Sequence, residues 1–175
     1  MTEADWPILL AWNNDPEVLY FSEGDDVTSR TLDEVQSMYR HILQTAIVFM
    51  VEVQGAPVGE CWLQQMNLAR ILEKYRGVDC RRIDLMLGEK ELWRQGLGTE
   101  IIQPLSRFAF EVQDAGPVFG CDVADHHPRS RRGFEKVGYT LEAQVEQPRG
   151  MKAQYGYDLV LTRAAYTAAE TQAAR

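Results

Sequence analysis

Apolar positions along the chain change period several times, and each change marks an element. Trp6, Leu9 and Leu10 share one helical face behind Thr2 and Asp5, an N-cap pattern, so a helix is expected to about Asn13. Asp15-Pro16 restarts the chain, and Pro16 opens a second short helix through Phe21. Ser22 to Arg30 is polar and reads as a loop. Thr31 and Glu34 form a capping-box pattern, and Val35, Met38, Tyr39, Ile42 and Leu43 follow at helical spacing. From Ile47 the period shortens. Ile47–Val53 and Val58–Gln64 flank the turn Gln54-Gly55-Ala56 and read as a β-hairpin.

Met66–Gly77 carries helix formers among many charges and reads as an insertion with helical character. Arg82–Leu87 is a short strand. Gly96-Leu97-Gly98 breaks the chain, and a helix with Ile101, Leu105, Phe108, Ala109 and Val112 on one face follows. Pro104 lies inside that helix, removes a backbone donor and is expected to kink it. Val118–Val123 is an apolar strand, and Pro128–Lys136 a short helix with Gly138 as its C-cap. Thr140–Glu146 and Tyr155–Leu161 are closing strands around Pro148-Arg149-Gly150. Residues 164–175 are Ala-rich and polar and read as a frayed tail, leaving one domain over residues 1–163. The alternation of helical and strand periods, with no repeat and no linker, points to a single mixed α/β domain.

Composition narrows the class. The 175 residues are 45% hydrophobic and 25% charged, as in ordinary globular domains, so a wholly disordered chain is excluded. The net charge of −8 counts against a nucleic-acid binder and favours cationic ligands. No apolar run reaches the ~18–20 residues of a membrane span, and Met1–Asp5 lacks the basic and apolar regions of a signal peptide. Cys61, Cys80 and Cys121 are odd in number and widely spaced, which fits a reducing compartment better than a disulfide framework. A cytoplasmic protein, monomeric or homodimeric, is expected.

Two stretches carry chemistry. In the first, the strand Ile83–Leu87 leads through Arg94-Gln95-Gly96-Leu97-Gly98-Thr99 into an amphipathic helix. Free amides and the dipole at a helix N-terminus suit phosphates, and the glycines let a pyrophosphate approach the backbone. The plainer reading is a tight strand-to-helix turn. Neither GxGxxG nor GxxxxGK[ST] is present, so dinucleotide and nucleoside triphosphate sites lose support. The second stretch runs from Asp122 to Tyr139 through His126-His127-Pro128-Arg129-Ser130 and Gly133-Phe134.

Taken together and in order, these stretches resemble the two signatures of the GNAT superfamily of N-acetyltransferases. These are Gln/Arg-x-x-Gly-x-Gly/Ala for the pyrophosphate, and Asn-x-x-Ala followed by Tyr-x-x-x-Gly-Phe. Trp12, Asp15-Pro16, Val18, Pro57-Val58-Gly59, Ile83-Asp84 and Gly96-Leu97-Gly98-Thr99 are similar to the aminoglycoside 6'-N-acetyltransferase branch. The resemblance covers about Trp6 to Tyr166. It implies a mixed, mainly antiparallel twisted sheet with helices on both faces, acetyl-CoA as co-substrate and no metal. It also implies that the pantetheine lies in a splay between the strands of Arg82–Leu87 and Val118–Val123. The cofactor would meet Leu87, Arg94, Gln95, Gly96, Leu97, Gly98, Thr99, His127, Arg129, Ser130 and Phe134. The acceptor, a small cationic amine with an aminoglycoside first, would meet Asp84, Asp122, Glu60 and Trp12, with Asp84 as contact or general base. A siderophore hydroxylamine, another small amine, a protein N-terminus and a CoA-binding module without turnover are the alternatives.

The chain departs from the pattern in places. Trp93 stands where the family has Gln or Arg, His127 where it has Asn, and Phe134 where it has the tyrosine that protonates the departing thiolate. No strand is read before Thr2, where the family starts with one. Several of these residues also have plainer readings. Asp84 is the one charge in an apolar strand core, and pattern alone favours an ion pair with Arg81 or Arg82. Asp122 has the character of a turn former, Glu60 of an exposed strand-edge residue, and Trp12 of a core residue. Arg129, Arg131 and Arg132 read as a solvated helix face that near a CoA site would meet phosphates. His126 and His127 lack further ligands nearby, so a metal pair is disfavoured. Phe134 is expected to be packed and silent in proton transfer.

Overall fold

The computed structural model describes residues 1–23 and 27–173. The helices are α1 (Trp6–Trp12), α2 (Pro16–Ser22), α3 (Leu32–Ile42), α4 (Ala69–Lys74), α5 (Leu97–Glu111), α6 (Pro128–Val137) and α7 (Arg163–Ala173). The strands are β1 (Ala46–Val53), β2 (Ala56–Gln65), β3 (Arg81–Leu87), β4 (Val118–Ala124), β5 (Thr140–Glu146) and β6 (Tyr155–Leu161). They form one six-stranded sheet in the order β1-β2-β3-β4-β6-β5. Every neighbouring pair is antiparallel except β3 and β4.

The predicted caps form. Asp15 accepts from the amides of Glu17 at 2.9 Å and Val18 at 3.3 Å and starts α2. Thr31 and Glu34 exchange side chain for backbone at the head of α3, with 2.7 and 3.3 Å bonds. Thr2 and Asp5 cap a 3-10 turn, Glu3–Asp5, that precedes α1. Gly138 ends α6 at φ 104°, the left-handed conformation of a C-cap. α5 stays helical on both sides of Pro104. The insertion after β2 contains α4. Of the expected loop from Ser22 to Arg30, Ser22 closes α2, and residues 24–26 lie outside the described residues.

Alternation along the strands separates the packing. One face of the sheet meets α5 and α6, where Leu63, Ile83, Val118, Leu159 and Leu161 pack on Ile102, Leu105, Ala109, Phe110 and Phe134. On the opposite face, Met86 packs with Trp6, Leu9 and Trp12 of α1 and with Val35 and Tyr39 of α3. Farther along that face, Phe119, Cys121 and Val160 bury Ile71 of α4. Helices therefore cover both faces, as expected. Residues 163–173 depart from the expected frayed tail. The Tyr166 ring stacks on Phe110 at 4.7 Å, and Thr162 Oγ1 accepts from the Ala165 amide at 3.2 Å, so the segment docks as α7. Arg163 also donates to Phe110 O at 3.2 Å and to Ala115 O at 2.6 Å, long-range anchors that sequence period does not reveal.

Candidate cofactor and acceptor site

β3 and β4 pair in parallel only at Arg81–Val118 and Arg82–Phe119. Beyond Arg82, β3 continues its ladder with β2 alone, as far as Gly59–Leu87. β4 continues with β6 through a bulge between Gly120 and Val123, in which Asp122 adopts φ 52°. The two strands thus diverge, and a cleft of about 480 Å³ opens at the divergence. Leu85, Met86 and Leu87 supply one wall, the start of α5 a second, the first turns of α6 a third, and Val18, Phe21 and Ser22 of α2 the roof.

The α5 end of the cleft is built for an anion. Gly96 sits at φ 94°, a conformation that favours glycine, and turns the chain so that Leu97 begins the helix. The Thr99 amide makes a turn bond to Gly96 O at 2.9 Å, and the earlier amides of the turn have no intrahelical acceptor. A side chain added at Gly98 would meet nothing within 4 Å, so the backbone there faces open space in the cleft. Arg94, Arg129, Arg132 and Lys136 line the same cleft, a cationic lining in a chain of net charge −8. The Arg129 guanidinium lies 4.8 Å from the Phe21 ring and 5.5 Å from the Trp93 ring, which hold it in place. Trp93 itself donates from Nε1 to Leu87 O at 2.9 Å and ties the loop to β3. Amide donors, cations and an unobstructed glycine suit the pyrophosphate of CoA.

Most cofactor candidates fall on this cleft. Leu87, Arg94, Gly96, Leu97, Gly98, Thr99, His127, Arg129 and Ser130 all line it. Gln95 does not; it is exposed and donates to Glu91 O at 2.8 Å. Phe134 does not either. It is 3% exposed, stacks edge-on against Tyr139 at 5.0 Å and fills the space beside Gly120, where a Cβ would come within 2.5 Å of its ring. Phe134 thus packs in the core, as the packed residue the sequence also foresees, and not on the cleft lining. Burial lowers the His127 imidazole to about 4, helped by the charges of Arg129 and His126, so it is neutral at pH 7. Its ring lies 4.8 Å from Phe21. Arg131 points elsewhere, to Glu135 at 2.7 Å. Phe21, Ser22 and Lys136 were not foreseen, and Val18 was singled out only for its resemblance to the family, not as a cleft residue. Lys136 lies four residues beyond Arg132, a helical spacing that pattern could have flagged; Phe21 and Ser22 carried no such signal.

The acceptor candidates lie apart from that lining. Asp84 accepts from Arg82 Nε at 2.8 Å, from Arg82 Nη2, and from Trp62 Nε1 at 3.0 Å. The ion pair that pattern favoured is thus present. Glu60 is 2% exposed rather than at an edge, because β2 is an interior strand and α3 covers it. Its Oε1 accepts the Tyr39 hydroxyl, and the Asn13 amide donates to that hydroxyl at 3.4 Å and to Leu9 O at 2.9 Å. Burial pushes the Glu60 carboxyl up to about 8; the Tyr39 bond opposes this, and the charges of Asp84 and Glu23 add to it. Trp12 is a core residue whose indole donates to Glu89 at 2.9 Å. Asp122 pairs with Arg70 at 2.7 Å, and Arg70 also binds the fully buried Asp158. The cleft and the acidic cluster meet at β3: Met86, the register partner of Glu60, lines the cleft, and Asp84 is two residues earlier on the same face. Among the described residues no three His, Cys, Asp or Glu side chains gather in a metal-holding group.

Comparison with known proteins places this geometry. The family description that matches is an acetyltransferase (GNAT) domain, over residues 1–140. The solved aminoglycoside acetyltransferase AAC(6')-Ib, in complex with coenzyme A and kanamycin, is 23% identical, with a TM-score of 0.79 over 97% of this chain and 96% of that one. A spermidine N-acetyltransferase from Vibrio cholerae, in complex with CoA and spermine, is 16% identical, with a TM-score of 0.75 over 95% of each chain. At these identities the likeness speaks for the fold, and the family match covers most of the chain. The chain belongs to the GNAT acetyltransferases, enzymes that take their acetyl group from acetyl-CoA.

Proposed function

We propose that the chain transfers the acetyl group to a primary amine of a small cationic acceptor, with the 6'-amine of an aminoglycoside as the first choice and antibiotic modification as the consequence. The carrying observation is the divergence of β3 and β4 directly before a glycine turn and a helix N-terminus. Acetyl-CoA supplies the acetyl group as a thioester, already activated toward an amine. The amides of the α5 turn, with Arg94, Arg129 and Arg132, are the groups to hold its phosphates, and Phe21 shields the cleft from solvent. Asp84, beside the β3 wall, is the carboxylate to draw the acceptor's charge toward the cleft.

One observation favours a second acceptor class. Asp84 and Asp122 are both paired with guanidinium groups, Arg82 and Arg70, so a polycation meets fewer free carboxylates than the residue types alone suggest. That favours an acceptor with one cationic amine, a hydroxylamine or a peptide N-terminus. The test is acetyl-CoA-dependent thiol release over a panel of kanamycin, spermine, a siderophore hydroxylamine and a peptide, with products identified by mass. Transfer to kanamycin at the 6'-amine supports the first choice, and transfer confined to a single-amine acceptor supports the second. No transfer to any member would refute both.

A further inference from the structure

Glu60 is a buried carboxyl with one oxygen used and one unused. Oε1 takes the Tyr39 hydroxyl, while Oε2 is shut off from solvent and has no hydrogen-bond partner among the described residues. An unpartnered carboxyl oxygen in an interior is costly unless a donor comes to it. Asp84 is in the opposite condition. Arg82 and Trp62 together place three donors on its two oxygens. A carboxylate so engaged has little capacity left for an incoming N–H proton.

We infer that Glu60, positioned by Tyr39, takes the proton of the acceptor amine at its free Oε2, directly or through one bridging water, and that Asp84 is a positioning carboxylate. This rests on the acetyl-transfer reading above. A neutral amine attacks; the N–C bond forms, and the thioester C–S bond breaks with its electron pair going to sulfur. The surplus N–H proton passes to Glu60, and the thiolate takes a proton from solvent. No tyrosine is needed for that last step, which fits Phe134 in the core. The groups around Glu60 are few. Tyr39 faces it from α3, Asp84 with Arg82 from β3, and Glu23, paired with Arg30 at 3.0 Å, from beyond α2. Asn13, the C-cap of α1, and Met50, the register partner of Glu60 on β1, are neutral. Burial pushes the Glu60 carboxyl up to about 8, so kcat/KM is expected to rise with pH through that region.

Two readouts test this. The first is the pH profile of kcat/KM for acetylation of spermine and kanamycin by wild type, Glu60→Gln, Tyr39→Phe and Asp84→Asn, each with its acetyl-CoA affinity and melting temperature. Glu60→Gln is expected to lose the limb assigned to Glu60 and about 10²–10⁴-fold in rate with cofactor affinity kept. Tyr39→Phe removes a hydrogen bond that lowers the Glu60 carboxyl, so it moves the limb to higher pH; a limb due to the amine itself stays in place. The second readout, taken without acetyl-CoA, is the ¹³C-carboxyl resonance of Glu60, identified by its loss in Glu60→Gln. Saturating spermine or kanamycin should lower its midpoint by about 1–3 pH units. Wild-type rate and profile in Glu60→Gln, or a midpoint unmoved by both amines, would overturn the assignment. Absence of transfer by the wild type instead strikes the acetyl-transfer reading for these acceptors, and the carboxyl titration then judges Glu60 separately.

Discussion

Glu60→Gln makes a stability prediction that does not depend on catalysis. The Glu60 carboxyl rises from its usual 4.5 to about 8, chiefly through burial. Between those values the native chain keeps a proton that the unfolded chain has released. Stability therefore falls as pH rises across the window; the contribution is complete below about 4.5 and gone above about 8. At about 1.4 kcal/mol per pH unit, ionising Glu60 in place costs about 5 kcal/mol. Water entry and local relaxation reduce this, leaving an expected 2–5 kcal/mol. Glutamine has the same shape and accepts the Tyr39 hydroxyl at Oε1, but it does not titrate. The difference between the variant and wild type isolates Glu60 from carboxyls such as Asp15 and Glu34, which are lowered by their hydrogen bonds and act in the opposite sense at lower pH. Urea unfolding at pH 5, 7 and 9 should show the variant gaining on wild type by those 2–5 kcal/mol, or roughly 5–20 °C in melting temperature for a domain of this size. Parallel stability curves for the two proteins would refute the reasoning, because they would mean that Glu60 is ionised in the folded chain at ordinary pH.

Other substitutions probe the rest of the molecule. Gly98→Val projects a branched side chain into the cleft, where no atom lies within 4 Å, so calorimetry should show acetyl-CoA affinity falling at least about tenfold with the melting temperature unchanged. Arg70→Met leaves the fully buried Asp158 without its counterion; discounted for the partial exposure of Arg70, the loss is about 2–4 kcal/mol by urea unfolding, and Asp158→Asn in the same chain should restore part of it. Phe134→Tyr adds a hydroxyl to a ring packed against Gly120, so it should cost about 1–3 kcal/mol and leave turnover per folded molecule unaltered.

The parts of the site that sequence made legible are those set by local geometry. The glycine turn before α5 and the short helix after His127 appear at their expected places, because φ restrictions and capping act over a few residues. Arg82 and Asp84 are two apart on one strand, so their pairing follows from strand alternation. The burial of Glu60 is of another kind. Its neighbours along the chain, Gly59 and Cys61, say nothing of Tyr39, which reaches it from α3 across a long separation. Phe21 over the cleft and Tyr166 on Phe110 are likewise single aromatics placed by tertiary packing, and a period of 2 or 3.6 carries no sign of them. Most of the cofactor candidates share one cleft for the same reason: they sit on one turn and one helix end. The acceptor candidates Trp12, Glu60, Asp84 and Asp122 are spread over α1, β2, β3 and β4, and there the arginine partners of Asp84 and Asp122 alter what the residue types alone imply.

The central claim is that the cleft beside β3, where it parts from β4, holds CoA by its pyrophosphate at the start of α5. The most direct measurement is the structure of the chain in complex with CoA. The account predicts phosphate oxygens within hydrogen-bonding distance, about 2.7–3.2 Å, of the amides of the Gly96–Thr99 turn, with Arg94 or Arg129 beside them and the pantetheine along Leu85–Leu87. CoA bound elsewhere, with the α5 turn free of phosphate, would contradict it.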